Sequence, residues 1–349
     1  MKQIPLGRAG FTVSEWCLGT MYYPTHTPEA EAHRQIDMCL DAGIDFLDTA
    51  EMYPVIPVTA ETAGESEKVI GNWIAKTGRG AEIKVATKAA GPNGLGVREG
   101  GKGYTPENIR GAVEDSLRRL KRDVIDLYQL HWPVRGSYMF RQNWTYDPSK
   151  QNRAETLDHM DGILSALKAL VAEGKVRAFG LSNESCWGTT RWIDRAEATG
   201  GPRVASVQNE YSLMCRLYDT DMAEMAVNED VLLLAFSPLA TGILSGKYQG
   251  GAVPEGSRMS LEPGMGGRWQ GGRAEAAAQA YLDLAARHDL SPIHLAMAWQ
   301  TTRPFPVCPI FGAKTEAQLV HVLEGRDVTL TDELIAEVDQ IHRAHPMPY

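Results

Sequence analysis

Eight short, nearly unbroken apolar runs punctuate the chain, and a stretch of helical periodicity follows each one: 16–19, 45–49, 83–87, 125–131, 176–182, 204–209, 231–236 and 307–310. Strands without polar alternation are strands covered on both faces, the condition of a parallel sheet flanked by helices. Between them, Thr105 and Pro106 suit a helix N-cap and first turn, with Ile109, Val113, Leu117 and Leu120 repeating along one face. Ile163, Leu164, Leu167, Leu170 and Val171 repeat in the same way, and Gly174 is placed to stop that helix. Leu334, Val338 and Ile341 mark a last helix, and residues 4–13 read as a hairpin that caps the barrel bottom. Eight βα repeats predict a closed (β/α)8 TIM barrel, with an open doubly wound sheet as the alternative. No linker divides residues 1–349, so one barrel domain is expected.

A net charge of -9 sets the molecule as a whole against nucleic acid and anionic membranes as partners. An anionic ligand then needs local cations. Five cysteines without a C-x-x-C spacing point to a reducing compartment rather than to disulfides or a zinc ribbon. The first sixteen residues, MKQIPLGRAGFTVSEW, contain no apolar core of a secretory signal, and no run is apolar enough to span a bilayer. A cytoplasmic location is the expectation.

Two connections are too long for plain βα loops. One spans 133–158 and carries Tyr138, Met139, Phe140, Trp144 and Tyr146; the other spans 245–273 and is crowded with glycine. Both follow strands, so both belong on the catalytic face of a barrel. Polar residues at successive strand ends single out the same face. In DFLDTAEMY (45–53), Asp48 closes a strand and Tyr53 follows in the loop; the next strand closes on Lys88, and the next, IDLYQLHWP, on His131. A free phenol, with a pKa of about 10, is a poor acid at neutral pH. An ammonium beside it favours the phenolate and lowers that pKa, and a carboxylate can hold the ammonium in place. Asp48, Lys88 and Tyr53 would thus form a proton donor, and His131 would hydrogen-bond the oxygen that receives the proton. Singly, each residue reads more simply as a cap, packing or a solvated strand edge; together at neighbouring strand ends they point to a site.

These motifs, in this order, resemble the aldo-keto reductases, and most nearly the branch containing potassium-channel β subunits and bacterial Tas-type reductases. The resemblance runs from CLGTM (17–21) through DTAEMY, SLRRLKRDVIDLYQLHWP, GLSNES, VQNEYSL and SPLATGILSGKY to FGAKTEAQL (311–319). It implies a nicotinamide-dependent reductase of a small-molecule carbonyl substrate, with Asp48, Tyr53, Lys88 and His131 as the catalytic tetrad. It further implies that Thr20, Met21 and Asp48 border the cofactor, that Ser182, Asn183 and Gln208 hold the carboxamide, and that Phe236 faces the nicotinamide ring. Ser237, Pro238, Leu239, Ala240 and Gly242 would wrap the pyrophosphate, Lys247 and Arg258 would sit near the phosphates, and Gly312, Lys314 and Gln318 would meet the adenosine end. Plainer roles stay open for several of these: Thr315 and Gln318 have capping-box spacing, Ser182 and Asn183 could cap the following helix, Ser237-Pro238 could be a simple turn, and Phe236 could be core. Lys314 argues for a 2′-phosphate and hence NADPH. Where the family often has Glu-Asn near the adenine, this chain has His321 and Val322, which leaves NADH open. The substrate pocket is expected to draw on Met21, Tyr22, Met52, Trp132 and the 133–158 connection, and a homo-oligomer stays open.

Three rival readings fit less well. GPNGLGVREGGKG (91–103) follows a strand but has Glu99 where G-x-G-x-x-G needs its last glycine, so it reads as a flexible catalytic-face loop rather than a dinucleotide fingerprint. A metal-dependent hydrolase would need clustered ligands; there is no H-E-x-x-H, and His288 and His294 read as surface groups, so no catalytic metal is expected. A cofactor-binding regulatory subunit with slow turnover is the alternative function, and the imidazole of His131 favours a working reductase over it.

Overall fold

The computed structural model describes residues 1–264, 267–268 and 272–349. A two-stranded antiparallel hairpin, β1 (Gln3–Pro5) and β2 (Thr12–Ser14), precedes eight parallel strands: β3 (Cys17–Gly19), β4 (Phe46–Asp48), β5 (Lys84–Ala89), β6 (Ile125–Leu130), β7 (Val176–Ser182), β8 (Val204–Glu210), β9 (Leu232–Phe236) and β10 (Val307–Phe311). These eight close in the order β10-β3-β4-β5-β6-β7-β8-β9, so the closed barrel is the fold and the open sheet is not. All eight apolar runs become strands, with ends shifted by at most two residues.

Alternate strand residues serve two cores, as a period of two requires. Cys17, Phe46, Ala86, Leu127, Ala178, Ala205, Leu232, Leu234 and Cys308 fill the barrel, and Leu6 and Val13 of the hairpin join them as a plug. The hairpin comes so close to the start of β8 that a Cβ on Gly7 would lie 2.4 Å from the Ala205 carbonyl oxygen. Leu18, Leu47, Val85, Tyr128, Phe179, Val207 and Leu233 point outward onto the helices.

Two helices begin away from their expected starts. The helix over Ile109–Leu120 begins three residues after Pro106, because Thr105 and Asn108 bond each other reciprocally in a turn (Thr105 N to Asn108 Oδ1, 2.8 Å; Asn108 N to Thr105 Oγ1, 3.3 Å). The helix Arg153–Ala172 begins before Asp158, because Asn152 caps it through the amides of Ala154 and Glu155. Gly174, with φ +73°, follows its end as expected, whereas Val171 is exposed rather than packed. Among the described residues, no helix is long and apolar enough to cross a membrane.

Close backbone approach fixes Gly71 within the helix Glu65–Thr77. A Cβ there would lie 2.2 Å from the Arg119 carbonyl oxygen, and a main-chain atom cannot swing aside. We expect Gly71→Ala to lower unfolding stability by about 1–3 kcal/mol, read from the urea midpoint, despite the better helix propensity of alanine.

Candidate active site

Strand register brings the polar positions to one end of the barrel. Gly19 pairs with Asp48 and Asp48 with Ala86, Lys88 pairs with Gln129, Ser182 with Gln208, and Glu210 with Phe236. Each pair lies at the C-terminal ends of parallel strands, where barrel enzymes carry their chemistry.

The centre is a buried ion pair. Lys88 Nζ donates to Asp48 Oδ2 at 2.7 Å and to the Thr49 carbonyl at 2.7 Å. The other carboxylate oxygen of Asp48 accepts from Gln208 Nε2 at 2.8 Å and Gln129 Nε2 at 3.3 Å. Two buried charges are tolerable only with such full pairing. The Lys88 ammonium lies 4.8 Å from the centroid of the Tyr53 ring, and the His131 ring meets Tyr53 edge-on at 5.7 Å. The structure therefore brings all four residues of the expected tetrad together.

Electrostatics at the phenol depart from the expectation. Burial raises the Tyr53 pKa more than Lys88 lowers it, with Asp48 adding to the rise, so the net shift is upward. The phenol holds its proton firmly at neutral pH, as a proton donor must. Burial also pulls Lys88 down, but Asp48 and Tyr53 lift it above its ordinary value and it stays charged. His131 is held well below the ordinary imidazole value by burial and then by the charge of Lys88. It is therefore neutral, with one N–H to offer. Its Nδ1 is buried without a hydrogen-bond partner among the described residues.

The depressed His131 has a consequence for stability. Below the unfolded pKa of about 6.5 the unfolded chain binds a proton that the native imidazole refuses. Stability conferred above that pH is then lost as pH falls towards the native pKa. We expect the acid-side decline in urea midpoint to be shallower for His131→Asn than for the native sequence between about pH 6.5 and about pH 5.5, above the main range of carboxylate titration.

The positions that the resemblance assigns to the cofactor divide into three groups. Near the tetrad, Thr20 Oγ1 donates to the Asp48 carbonyl at 2.9 Å, the Met21 carbonyl accepts from the Val55 amide, and Ser182 Oγ donates to the Gln208 carbonyl at 2.9 Å. Asn183, with φ +54°, donates through Nδ2 to the His131 carbonyl at 2.9 Å, while its buried Oδ1 accepts from no described residue. An unpaired buried oxygen is costly, and a ligand N–H would satisfy it. Neither Ser182 nor Asn183 caps the next helix: Ser185 does, accepting from the Gly188 amide at 3.1 Å.

At the end of β9, Phe236 is partly exposed rather than core. Pro238 is buried, and Ser237, Ala240, Thr241 and Gly242 all adopt positive φ, at +56°, +47°, +57° and +97°. Three non-glycine residues in that region mark a strained segment, and successive turns of this kind form concave amide nests that suit anions. Leu239 lies within the same turn, its carbonyl accepting from Gly242 N at 2.9 Å.

Further out, three cations gather. Lys314 Nζ donates to the Gly256 carbonyl and lies 5.2 Å from the Tyr22 ring centroid; Arg258 donates to the Tyr22 hydroxyl at 3.1 Å and to Glu262 Oε2 at 2.8 Å. Burial, then the charges of Lys247 and Arg258, pull Lys314 below its ordinary pKa, and burial does the same to Lys247. A lysine depressed by burial and by two neighbouring cations marks a site prepared for an anion. Gly312 and Gln318 are exposed; Gln318 realises its capping role, its amide donating to Thr315 Oγ1 at 3.3 Å and its Oε1 accepting from the Lys314 amide at 2.9 Å. An orphan carbonyl oxygen, a left-handed turn and a cation cluster fit a dinucleotide carrying a carboxamide and phosphates.

The expected substrate lining included Trp132 and the 133–158 connection, and Trp132, 4.8 Å from the His131 ring, forms an aromatic wall with Phe140 of that connection, 6.2 Å from Trp132. Met52 is buried with Ala50, Ala90 and Val97 in a cluster against which Tyr53 and Trp132 pack, whereas Tyr22 meets Arg258 and Lys314. The glycine-rich 91–103 connection is tied down rather than loose: Arg98 donates to Glu51 Oε2 at 3.1 Å, and Glu51 Oε1 accepts from the Ala90 amide at 2.6 Å. In the second long connection, residues 265–266 and 269–271 lie outside the described residues.

Several site residues escaped the sequence reading. Gln129 sits two before His131 and Glu210 two after Gln208, so each faces the same way as its neighbour, and that parity was the available signal. Glu210 accepts from Arg268 Nε at 2.6 Å, Arg141 Nη1 at 3.0 Å and the Tyr349 hydroxyl at 3.2 Å, joining both long connections and the last residue to a strand end. His294 is no free surface group; it packs against His321.

A parallel barrel with Asp, Tyr, Lys and His converging at its C-terminal mouth defines a class of oxidoreductase. The chain belongs to the aldo/keto reductase family, whose pattern matches residues 15–343. Protein tas of Escherichia coli (strain K12) is 38% identical over 357 residues, spanning 100% of this chain and 99% of its own. The NADH-specific methylglyoxal reductase of the same organism is 27% identical, spanning 95% of each chain. A probable voltage-gated potassium channel subunit beta of Arabidopsis thaliana is 25% identical, spanning 99% of this chain and 98% of its own.

Proposed function

We propose that the protein reduces aldehydes or ketones to alcohols with NADPH, Tyr53 serving as the acid. The observation that carries this reading is the Asp48–Lys88 pair beneath the Tyr53 ring with His131 at its edge. When bound, a reduced nicotinamide supplies the hydride. Tyr53 places a proton on the substrate oxygen, and Lys88 stabilises the phenolate left behind. The neutral imidazole of His131 donates to the same oxygen and orients it. Asp48, held by Gln208 and Gln129, fixes Lys88 so that no reorganisation is needed as charge moves. Trp132 and Phe140 offer an apolar, aromatic wall, which suits an aromatic or hydrophobic carbonyl.

Asn183 Oδ1 and Gln208 would hold the carboxamide, and the 237–242 turn the pyrophosphate. Lys247, Arg258 and Lys314 would meet the phosphates, the last favouring a 2′-phosphate. The name of the methylglyoxal reductase relative agrees with an oxidoreductase and keeps NADH in play. We expect Lys314→Ala to weaken NADPH binding about tenfold and NADH binding little, measured by fluorescence titration. Equal losses for both cofactors would remove the 2′-phosphate assignment. The reading extends to one barrel domain acting in the cytoplasm on a small molecule, alone or as a homo-oligomer. Steady oxidation of NADPH by an aromatic aldehyde tests it; tight cofactor binding with negligible turnover on every carbonyl would favour a regulatory subunit.

A further inference from the structure

We propose that His294, His321 and Glu324 form a binding site for one divalent transition-metal ion of the zinc class, outside the catalytic mouth. The proposal rests on none of the catalytic or cofactor roles above, although the resemblance sets His321 at a position near the adenine.

The three residues come from two helices, Pro292–Gln300 and Glu316–Glu324, and one ligand atom from each lies within 4.8 Å of the others. His321 Nδ1 and Glu324 Oε2 are 3.3 Å apart. Two ligands of a tetrahedral ion with bonds near 2.1 Å are separated by about 3.4 Å. That pair therefore already has the required spacing, and the exposed Glu324 side chain already faces His321.

The hydrogen bonds around the rings are a second and separate observation. His294 Nε2 lies 2.6 Å from the His321 carbonyl oxygen. A carbonyl only accepts, so the proton of His294 sits on Nε2 and its lone pair on Nδ1. His321 Nε2 lies 3.1 Å from Ser291 Oγ. Ser291 stands at the N-cap of its helix, yet its hydroxyl makes no cap bond there; it faces the imidazole instead. Oxygens that engage the outer nitrogen are the usual support of metal-binding histidines; here the carbonyl fixes the tautomer of His294, and Ser291 holds the ring plane of His321, whose Nδ1 would give up a proton to a bound ion. The His294 ring is also seated against main chain, since a Cβ on Gly325 would lie 2.5 Å from its Cδ2, and its centroid is 4.7 Å from that of His321. Both rings are thus oriented in advance.

Donor chemistry selects the ion. Two neutral imidazoles and one carboxylate give a nitrogen-rich set with a single negative charge, which suits zinc, cobalt or nickel and not calcium or magnesium. Three protein ligands leave a fourth position for water. A bound ion would clamp the two helices together.

The test uses the full chain after treatment with a chelator. Cobalt is titrated and followed by its visible absorption, and zinc is titrated calorimetrically, for the native sequence, His294→Ala, His321→Ala and Glu324→Gln. The expected result is one ion per chain, visible bands of low-symmetry cobalt, and affinity lower by at least about tenfold in each histidine variant. Zinc should also raise the melting temperature of the native sequence but not of the variants, and magnesium should do neither. Glu324→Gln, at an exposed helix end, keeps the fold intact if a histidine variant proves unstable, and it too should bind more weakly. Absence of zinc or cobalt binding, or equal affinity in the native sequence and these variants, would overturn the proposal.

Discussion

Tyr53→Phe is expected to lower kcat for carbonyl reduction by about 10²–10⁴-fold while leaving cofactor affinity nearly unchanged. The substitution removes one oxygen and keeps the ring that Lys88 and His131 pack against. Loss confined to kcat would mark an interaction made in the transition state, whereas a rise in KM alone would mark simple binding. The upward shift of the phenol sharpens the expectation. Because Tyr53 holds its proton through the neutral range, activity should not fall between pH 6 and pH 8 through loss of the acid form. Rates measured with a saturating aromatic aldehyde across that range, in both proteins, check the point.

Lys88→Met is expected to cost about 3–5 kcal/mol of stability as well as activity, because it strands a buried carboxylate. Asp48 would retain only Gln129 and Gln208. The double variant Asp48→Asn with Lys88→Met is expected to behave differently. It should recover much of the stability, since no lone charge remains buried, yet stay inactive, since the ammonium is still missing. Urea unfolding followed by fluorescence, with turnover on the same samples, separates the two. If the single variant were as stable as the native protein, the buried pair would not be the structural anchor described here.

The barrel was legible because its strands are covered on both faces. Phe46 faces the barrel interior and Leu47 the helices, so neither needs a polar neighbour, and the run stays apolar throughout. The meeting of Asp48, Tyr53, Lys88 and His131 was legible because polar residues ending such runs stand out. What the sequence hid was mostly pairing. Glu51 lies inside the DTAEMY motif, but nothing in the motif says that Arg98, 47 residues on, will reach it. Glu210 likewise gathers Arg141 and Arg268 from two separate connections. The late start of the helix at Ile109 came from the Thr105–Asn108 pair, whose reciprocal bonds make a turn where propensity alone reads a cap. The direction of the Tyr53 shift was hidden for a different reason: proximity to a lysine is readable from motif order, but the depth of burial that outweighs it is a property of the closed barrel.

The most direct test of the central claim follows the hydrogen itself. NADPH carrying deuterium at the nicotinamide C4, on one face and on the other in separate samples, is given to the protein with an aromatic aldehyde, and the alcohol is examined by mass spectrometry. Alcohol bearing one carbon-bound deuterium from one of the two labelled cofactors only, and little alcohol from Tyr53→Phe, is the expected result. Alcohol without deuterium from both labelled cofactors, or equal yield from the Tyr53→Phe protein, would contradict the assignment of this strand-end site as a reductase.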